Sequence, residues 1–513
     1  MIRDILFFPL AAAFLLAMSF LIIRYIHIFQ LNSYKPQVQK KWVADNIPEF
    51  LLKTVWIFGT VPVILKLGDW GAAIGTAIYV LVALLNLPKK AKKPLVFTNR
   101  VKRLLVTQGI ILAVIIALSI IMTDSRRFFT MVFAIVSICA PYFILFINWI
   151  NSPMEKAINN RYIKDAKRIR SQMPELKVIG ITGSYGKTSV KVFLGKLLSA
   201  RYNVLVTPES YNTTLGVVRT LREKLRATHN VFVCEMGARN IGDIKEICDI
   251  VKPDYGVITS IGPQHLESFK SIENVVKTKF ELVDSLGEDG VAFLNADNEY
   301  ISGVSVPVKR VEFGTEKGDY RAMDIRVSER GSEFKIGDTQ FKTKLIGRHN
   351  VLNIAAAVAV ANTMGIPMEE LVPLVYRLES VPHRLQLLGS GNRLVIDDAY
   401  NSNPEGAKAA LEVLSAFDGF KLLVTPGMVE LGTKQFECNY NFGVQASQVC
   451  DHVILIGERQ TEPVYRGLID SGYKKECITI SKSLNDGLAA AERIDTGGKV
   501  RIMLLENDLP DNY

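Results

Sequence analysis

The chain has 513 residues and a formal net charge of +10, with 49% hydrophobic and only 22% charged residues. At roughly 150 residues per domain this length argues against a single fold unit, and the composition is more apolar than that of an ordinary soluble enzyme, which predicts that part of the chain lies in lipid. The 6 cysteines form no C-x-x-C pair and no metal-ligand spacing, so they read as reduced cytosolic or buried thiols.

The apolar excess lies before residue 151, in stretches at about 4–29, 50–66, 69–87, 103–122 and 128–150. Each is near the length that crosses ~30 Å of hydrocarbon. Lys53 and Pro62 interrupt the second stretch and Lys66 closes it early, so it reads either as a span or as a re-entrant or interfacial helix. Four spans and five are both open. The first stretch is too long for a signal-peptide core and has no small-residue cleavage site before the polar segment 30–46, so it reads as a retained anchor. With five spans, the loop holding Lys35, Lys40 and Lys41 shares one side of the membrane with the C-terminal region. The loop holding Lys89, Lys90, Lys92, Lys93, Arg100, Lys102 and Arg103 lies on that side too. Basic loops mark the cytoplasmic side, which predicts a multi-pass cell-membrane protein with its catalytic part in the cytoplasm. Much of the net charge sits in these loops and in residues 161–170. Anionic lipid head groups account for it more simply than nucleic acid, which is not an expected partner.

Residues 151–173 read as a basic linker. From about residue 174 short β-branched runs alternate with helical segments: LKVIGITG, a helix from Lys187, then NVLVT, VFVCEMG, YGVITSIG and VAFLN. That alternation predicts a parallel sheet covered by helices over 174–380. After a break near 379–383, RLVIDDAY, KLLVTPG, HVILIG and VRIMLL are strand-like again, predicting a second α/β domain over 381–513.

The segment Gly180-Ile-Thr-Gly-Ser-Tyr-Gly-Lys-Thr188 follows a predicted strand and opens a predicted helix, so backbone N–H groups and the helix dipole converge on one small volume that suits polyphosphate. Glycines let the backbone approach the oxygens, Lys187 supplies a mobile positive charge, and the Thr188 hydroxyl can ligate Mg2+. Gly183, Ser184, Tyr185, Gly186, Lys187, Thr188 and Ser189 are therefore the candidate nucleotide cradle. The pattern is not a strict Walker A, which needs glycine where this chain has Ile181.

The T-G-x-x-G-K-T form at 182–188 resembles the ATP loop of the Mur ligase family, enzymes that add amino acids to peptidoglycan precursors, and of folylpolyglutamate synthetases. The resemblance covers about residues 174–513. It implies that Glu235 in VFVCEMGARNIGDI ligates Mg2+ beside Thr188, a carboxylate at a strand end being suited to a hard cation. In ITSIGPQHLESFKSIENVVKTKFEL it implies that His265 contributes to a second metal site and that Lys279 is carbamoylated, turning a cation into an anion able to hold Mg2+. LNADN and IGRHNVLNIAAAVAVA put Asn295, Asp297, Asn350 and Asn353 near the nucleotide by the same resemblance. PHRLQLL, VIDDAYNSNPEG and TPGMVELG run parallel to the MurF branch, which adds D-alanyl-D-alanine, and imply Arg384 at the γ-phosphate and Asp398 in the nucleotide region. The implied fold is an α-helical transmembrane region, then an α/β P-loop-like central domain on a parallel sheet, then a Rossmann-like α/β C-terminal domain.

The resemblance also implies ATP and Mg2+ as cofactors and an amide-forming reaction through an acyl phosphate, with Lys187, His265, Lys279 and Arg384 as the catalytic set. Membrane helices stand where such a ligase has a soluble domain for its UDP-linked substrate. Asn212-Thr213, FECNYNFG and LLENDLPDNY depart from the MurF pattern where acceptor and amine are handled. The expected partners are therefore an amino acid or dipeptide amine and a membrane-proximal carboxylate acceptor, lipid-linked or glycan, together with membrane lipids. A poly-γ-glutamate synthetase and a membrane transport ATPase are the alternatives.

Overall fold

The computed structural model describes residues 7–67, 69–87, 93–121, 125–208, 211–263, 266–390, 393–400, 402–429 and 431–508. The described residues fall into two units, one up to residue 160 and one from residue 161. Residues 4–6 and 122 of the apolar stretches, and Lys89, Lys90, Lys92 and His265, lie outside the described residues.

The first unit is helical, with helices at Phe7–Leu31, Pro36–Asp45, Ile47–Leu67, Asp69–Leu85, Asn99–Ile121, Ser125–Ile138 and the start of Ala140–Ser171. Its largely aliphatic core holds an aromatic contact: the rings of Phe14 and Phe133 stack at 3.8 Å, and Tyr79 meets Phe14 edge-on at 5.6 Å. A polar seam crosses it, where Arg103 grips Glu155 through two bonds of 2.6 and 2.8 Å and the Thr107 hydroxyl donates to Asn151 at 2.9 Å. Against the four or five expected spans, the described residues hold one helix long and apolar enough by itself to cross a membrane, Pro9–Leu31. The stretch 128–150 is not one straight helix. Met131–Ile138 and Ala140–Ser171 meet at 80°, because Pro141 has no N–H to continue the ladder and the new helix starts from the Cys139 carbonyl. Downstream, the segment read as a linker is helical as far as Ser171.

The second unit holds two sheets. The larger runs in the order β2-β3-β1-β4-β5-β6-β7-β8-β9. Its strands are β1 (Lys177–Thr182), β2 (Val204–Val206), β3 (Val231–Glu235), β4 (Tyr255–Ile258), β5 (Val291–Asn295), β6 (Lys309–Gly314), β7 (Tyr320–Ser328), β8 (Gly331–Ile336) and β9 (Thr339–Thr343). The runs VIGIT and VFVCE are apolar throughout because parallel strands covered on both faces have no wet side, and both are buried along their length. The sheet is parallel from β2 to β7 and antiparallel from β7 to β9. In this sheet neither β6 nor the last three strands were expected from sequence. Their two-residue turns at 329–330 and 337–338 are too short for a parallel crossover and dictate hairpins. The helix Arg348–Thr363 is buried from Asn353 to Ala361, its alanines allowing close approach to the sheet.

The smaller sheet comprises β10 (Gln386–Ser390), β11 (Arg393–Asp398), β12 (Phe420–Thr425), β13 (His452–Ile456), β14 (Ile478–Ser481) and β15 (Arg501–Glu506), in the order β10-β11-β15-β12-β13-β14. Only β10 runs antiparallel to its neighbour.

Candidate active site

In the larger sheet β1 lies between β3 and β4, so the chain crosses from one side of β1 to the other there. Such a switch point opens a crevice at the carboxyl ends of the strands. The loop after β1 occupies it and leads into the helix Lys187–Leu198. Gly186 precedes that helix at φ +80°, where an added Cβ would come within 2.5 Å of Asn353 Oδ1. A Cβ on Gly183 would collide with the Thr259 hydroxyl. Both positions need glycine.

The loop is braced from β4. The Ser184 N–H donates to Ser260 O at 2.6 Å, the Tyr185 N–H donates to Ser260 Oγ at 3.0 Å, and the Thr259 hydroxyl donates to the Tyr185 carbonyl. The Ser184 hydroxyl donates to Gly262 O at 3.1 Å. Lys187 folds back so that Nζ donates to the carbonyls of Gly183 at 2.6 Å and Ser184 at 3.0 Å. Burial lowers its ammonium to about 8, and the Arg384 charge adds to the lowering while Glu235 opposes it.

Glu235 ends β3 opposite Ile181 in the register, which delivers its carboxylate to the rim of the loop. Oε1 accepts from the Thr188 hydroxyl at 3.2 Å and from Asn212 Nδ2 at 2.9 Å, and Oε2 lies 2.9 Å from Lys191 Nζ. Burial alone would raise this carboxyl. The ammoniums of Lys191 and Lys187 and the Asn212 bond outweigh it and hold the group below the usual carboxylate range, so it is an anion. A hydroxyl and an ionised carboxylate sharing one contact are hard oxygen donors of the kind Mg2+ takes, with phosphate and water completing its shell. Among the described residues no group of three or more His, Cys, Asp and Glu is close enough to hold a metal by itself.

The other sequence candidates divide. Ser189 is buried in the first turn of the helix after the loop. Lys279 is buried on the helix Ile272–Asp284, and burial together with the Lys187 charge pushes its ammonium well down. A lysine that deprotonates readily is suited to adding CO2. Asn353 stands over Gly186, whereas Asn350 is spent on the Ile346 carbonyl at 2.8 Å. Asn295 holds the Thr259 carbonyl at 2.8 Å and so supports the loop from behind. Asp297 instead caps a turn, accepting N–H groups of Thr315, Glu316 and Lys317. Arg384 lies over the Tyr400 ring at 4.3 Å, and its charge reaches both Lys187 and Asp398. The Leu385 N–H donates to Asp398 Oδ1 at 3.1 Å. Burial raises both Asp398 and its neighbour Glu506, so the pair tends to share a proton. His265 lies outside the described residues.

Sequence reasoning missed Lys191, Asn212 as a ligand of Glu235, and the Thr259-Ser260 brace. The signal for Lys191 was its spacing, one helical turn after Lys187 on the face that turns inward.

Residues 181–361 match the Mur ligase middle domain, and residues 383–500 match the Mur ligase glutamate ligase domain. The chain is 32% identical over 302 residues to the UDP-N-acetylmuramoyl-tripeptide--D-alanyl-D-alanine ligase of Escherichia coli, covering 57% of this chain and 66% of that one. It spans less than two thirds of the length of the curated relatives it matches. Among solved structures, MurF from Acinetobacter baumannii superposes with a TM-score of 0.64 at 27% identity, covering 69% of this chain and 78% of that one. MurF from Thermotoga maritima in complex with ADP gives 0.61 at 28% identity, covering 68% and 80%.

Proposed function

The chain belongs to the Mur ligase family and is MurF-like over its middle and C-terminal domains, and from that premise we propose that it is an ATP-dependent ligase joining a carboxylate to an amino acid or dipeptide amine on a cell-envelope precursor. The observation that carries this reading is the meeting of Lys187, Thr188 and Glu235 at the carboxyl end of β1. A carboxylate and an amine do not condense in water. The acceptor carboxylate oxygen attacks the γ-phosphorus of ATP, ADP leaves, the amine nitrogen attacks the resulting acyl phosphate, and phosphate and a proton depart.

The residues of this chain act mainly by position and charge. Loop N–H groups and Lys187 hold the phosphates, and Arg384 approaches from the C-terminal domain to offset charge on the phosphoryl group in flight. Thr188 and Glu235 would hold Mg2+, which supplies positive charge to the phosphate oxygens when bound. Lys279, as its carbamate, would add a further anionic ligand, with His265 at a second site. Closure of the two domains would keep water from the acyl phosphate.

The acceptor is membrane-held, lipid-linked or a glycan precursor. Support comes from Pro9–Leu31, long and apolar enough to cross a bilayer, and from large apolar residues exposed on the helical unit, Leu52, Trp70 and Trp149. The test is phosphate release by the detergent-solubilised protein with Mg-ATP. Amino acids and dipeptides are supplied against either a UDP-linked muramoyl peptide or an envelope lipid extract, with Lys187→Ala as control. Release that needs an amine and the lipid extract supports the reading. Turnover of the UDP-linked peptide alone overturns the membrane-held acceptor, and release that needs no amine overturns the ligase.

A further inference from the structure

Glu235 is paired in the interior with Lys191, which has no part in the chemistry above. Lys191 is 2% exposed and Glu235 2%, so both charges are out of water, where each is costly unless matched. Lys191 lies one turn beyond Lys187 on the helix Lys187–Leu198, and its Nζ stands 2.9 Å from Oε2 of Glu235. The other oxygen, Oε1, faces the Thr188 hydroxyl and Asn212. The carboxylate is thus divided, one oxygen turned to a fixed internal cation and one to the rim of the phosphate loop. The Thr207 hydroxyl receives the Glu235 N–H at 3.0 Å and fixes the backbone beneath it.

We infer that Lys191 is a positioning residue for the divalent cation: by clamping Oε2 it leaves Oε1 as the oxygen offered to the metal, and it supplies the counter-charge that lets an anionic Glu235 stay buried before any metal arrives. Groups behind a metal ligand orient it, and a freely turning carboxylate would spend its time on other partners. Lys187 also lowers the Glu235 carboxyl by its charge, but its Nζ is bonded to the Gly183 and Ser184 carbonyls, so the ammonium in contact with Oε2 is that of Lys191. Lys191 touches neither phosphate nor metal in this role. Its effect passes through Glu235, and a merely structural lysine would behave differently in the test.

This inference rests on the reading of the loop as an Mg-ATP site. The full chain, in detergent, is titrated with Mn2+ in the presence of a non-hydrolysable ATP analogue and followed by electron paramagnetic resonance; binding of the analogue in EDTA is measured separately. Lys191→Met is expected to lose about 10- to 100-fold in Mn2+ affinity, the range for groups behind a metal ligand, with analogue binding in EDTA unchanged. Lys191→Arg, which keeps the charge, retains most of the affinity. In a Glu235→Gln background, Lys191→Met causes no further loss. Should Lys191→Met fail to fold, Lys191→Gln keeps a donor for Oε2 without its charge and is expected to show the same loss. Wild-type Mn2+ affinity in the folded variant overturns the inference, as does an equal loss in the Glu235→Gln background. If the wild type binds the analogue no better with Mn2+ than without, the loop reading itself fails and takes the inference with it.

Discussion

The Thr188 hydroxyl donates to Glu235 Oε1 at 3.2 Å, tying the first turn of the helix after the phosphate loop to the end of β3. Because the two residues come from different elements, the contact exists only when β1 and β3 pair in register. Glu235→Gln keeps the shape but removes the charge that Lys191 and a metal would share. Mg-dependent ATP turnover should fall by about 100-fold or more, while nucleotide binding in EDTA changes little, because hard cations favour carboxylate over amide oxygen. Isothermal titration with and without Mg2+ checks this, and an equal loss in both conditions would show that Glu235 serves the fold alone.

Lys187→Ala removes the ammonium that lies over Gly183 and Ser184. The loop should keep its shape, since the brace from Ser260 and Thr259 does not involve Lys187. We expect nucleotide-dependent phosphate release to drop by about 100-fold, in line with loss of one preorganised charge at a transferring phosphoryl group, with the melting temperature unaltered. A variant that melts early and keeps its turnover per folded molecule would contradict this.

How much of this site was legible follows from how far its contacts reach along the chain. The phosphate loop could be read directly because glycine, lysine and threonine occupy one short window. Glu235 and Thr188 are 47 residues apart, so only the resemblance to a known family connected them. The resemblance put Asp297 near the nucleotide; its cap on the turn at Thr315 to Lys317, where two carboxylate oxygens satisfy three N–H groups at little cost, was not legible because those partners lie about 20 residues on. Lys191 went unremarked because a lysine in a helix usually faces water. In the membrane region hydropathy gave the apolar stretches but not the 80° bend beside Cys139, which depends on one proline.

The Asp398–Glu506 pair predicts a pH dependence of stability. Burial pushes Asp398 up to about 6 in the folded protein, while an unfolded aspartate titrates near about 3.9. Below pH ~4 both states hold the proton and the folded state has its full advantage. As pH rises through the folded value the advantage is lost, because the folded chain must then bury a charge the unfolded chain carries in water. Asp398→Asn cannot titrate, so its melting temperature relative to wild type should climb from about pH 4 to above 6. A difference independent of pH would refute this assignment.

In the C-terminal domain the helices Gln435–Val449 and Glu458–Asp470 pack backbone to backbone at two glycines. A Cβ on Gly443 would lie 2.2 Å from Val464 O, and one on Gly467 would lie 2.1 Å from Tyr440 O. Neither obstacle is a side chain that can swing aside. Gly467→Ala should destabilise by about 1–3 kcal/mol, the cost of overpacking, despite alanine's higher helix propensity. Urea unfolding should show a lower midpoint, and a midpoint raised by alanine would mean that the helices separate freely.

Gly186 and Gly242 test whether the loop glycine serves conformation alone. Both have left-handed backbones, at φ +80° and +93°, but an added Cβ at Gly242 meets nothing within 4 Å, whereas at Gly186 it comes within 2.5 Å of Asn353 Oδ1. Alanine at either position carries a backbone cost of about 1–2 kcal/mol. Only Gly186→Ala also pushes Asn353 off the loop and tilts the N–H groups that would receive phosphate. Gly242→Ala should therefore lose modest stability and keep nucleotide affinity, and Gly186→Ala should lose a similar amount of stability together with about 10-fold or more in affinity, since anion binding here depends on N–H groups aimed at one point. Equal affinities in the two variants would mean that Asn353 yields without disturbing the loop, and the close fit of Gly186 beneath it would then matter for packing alone.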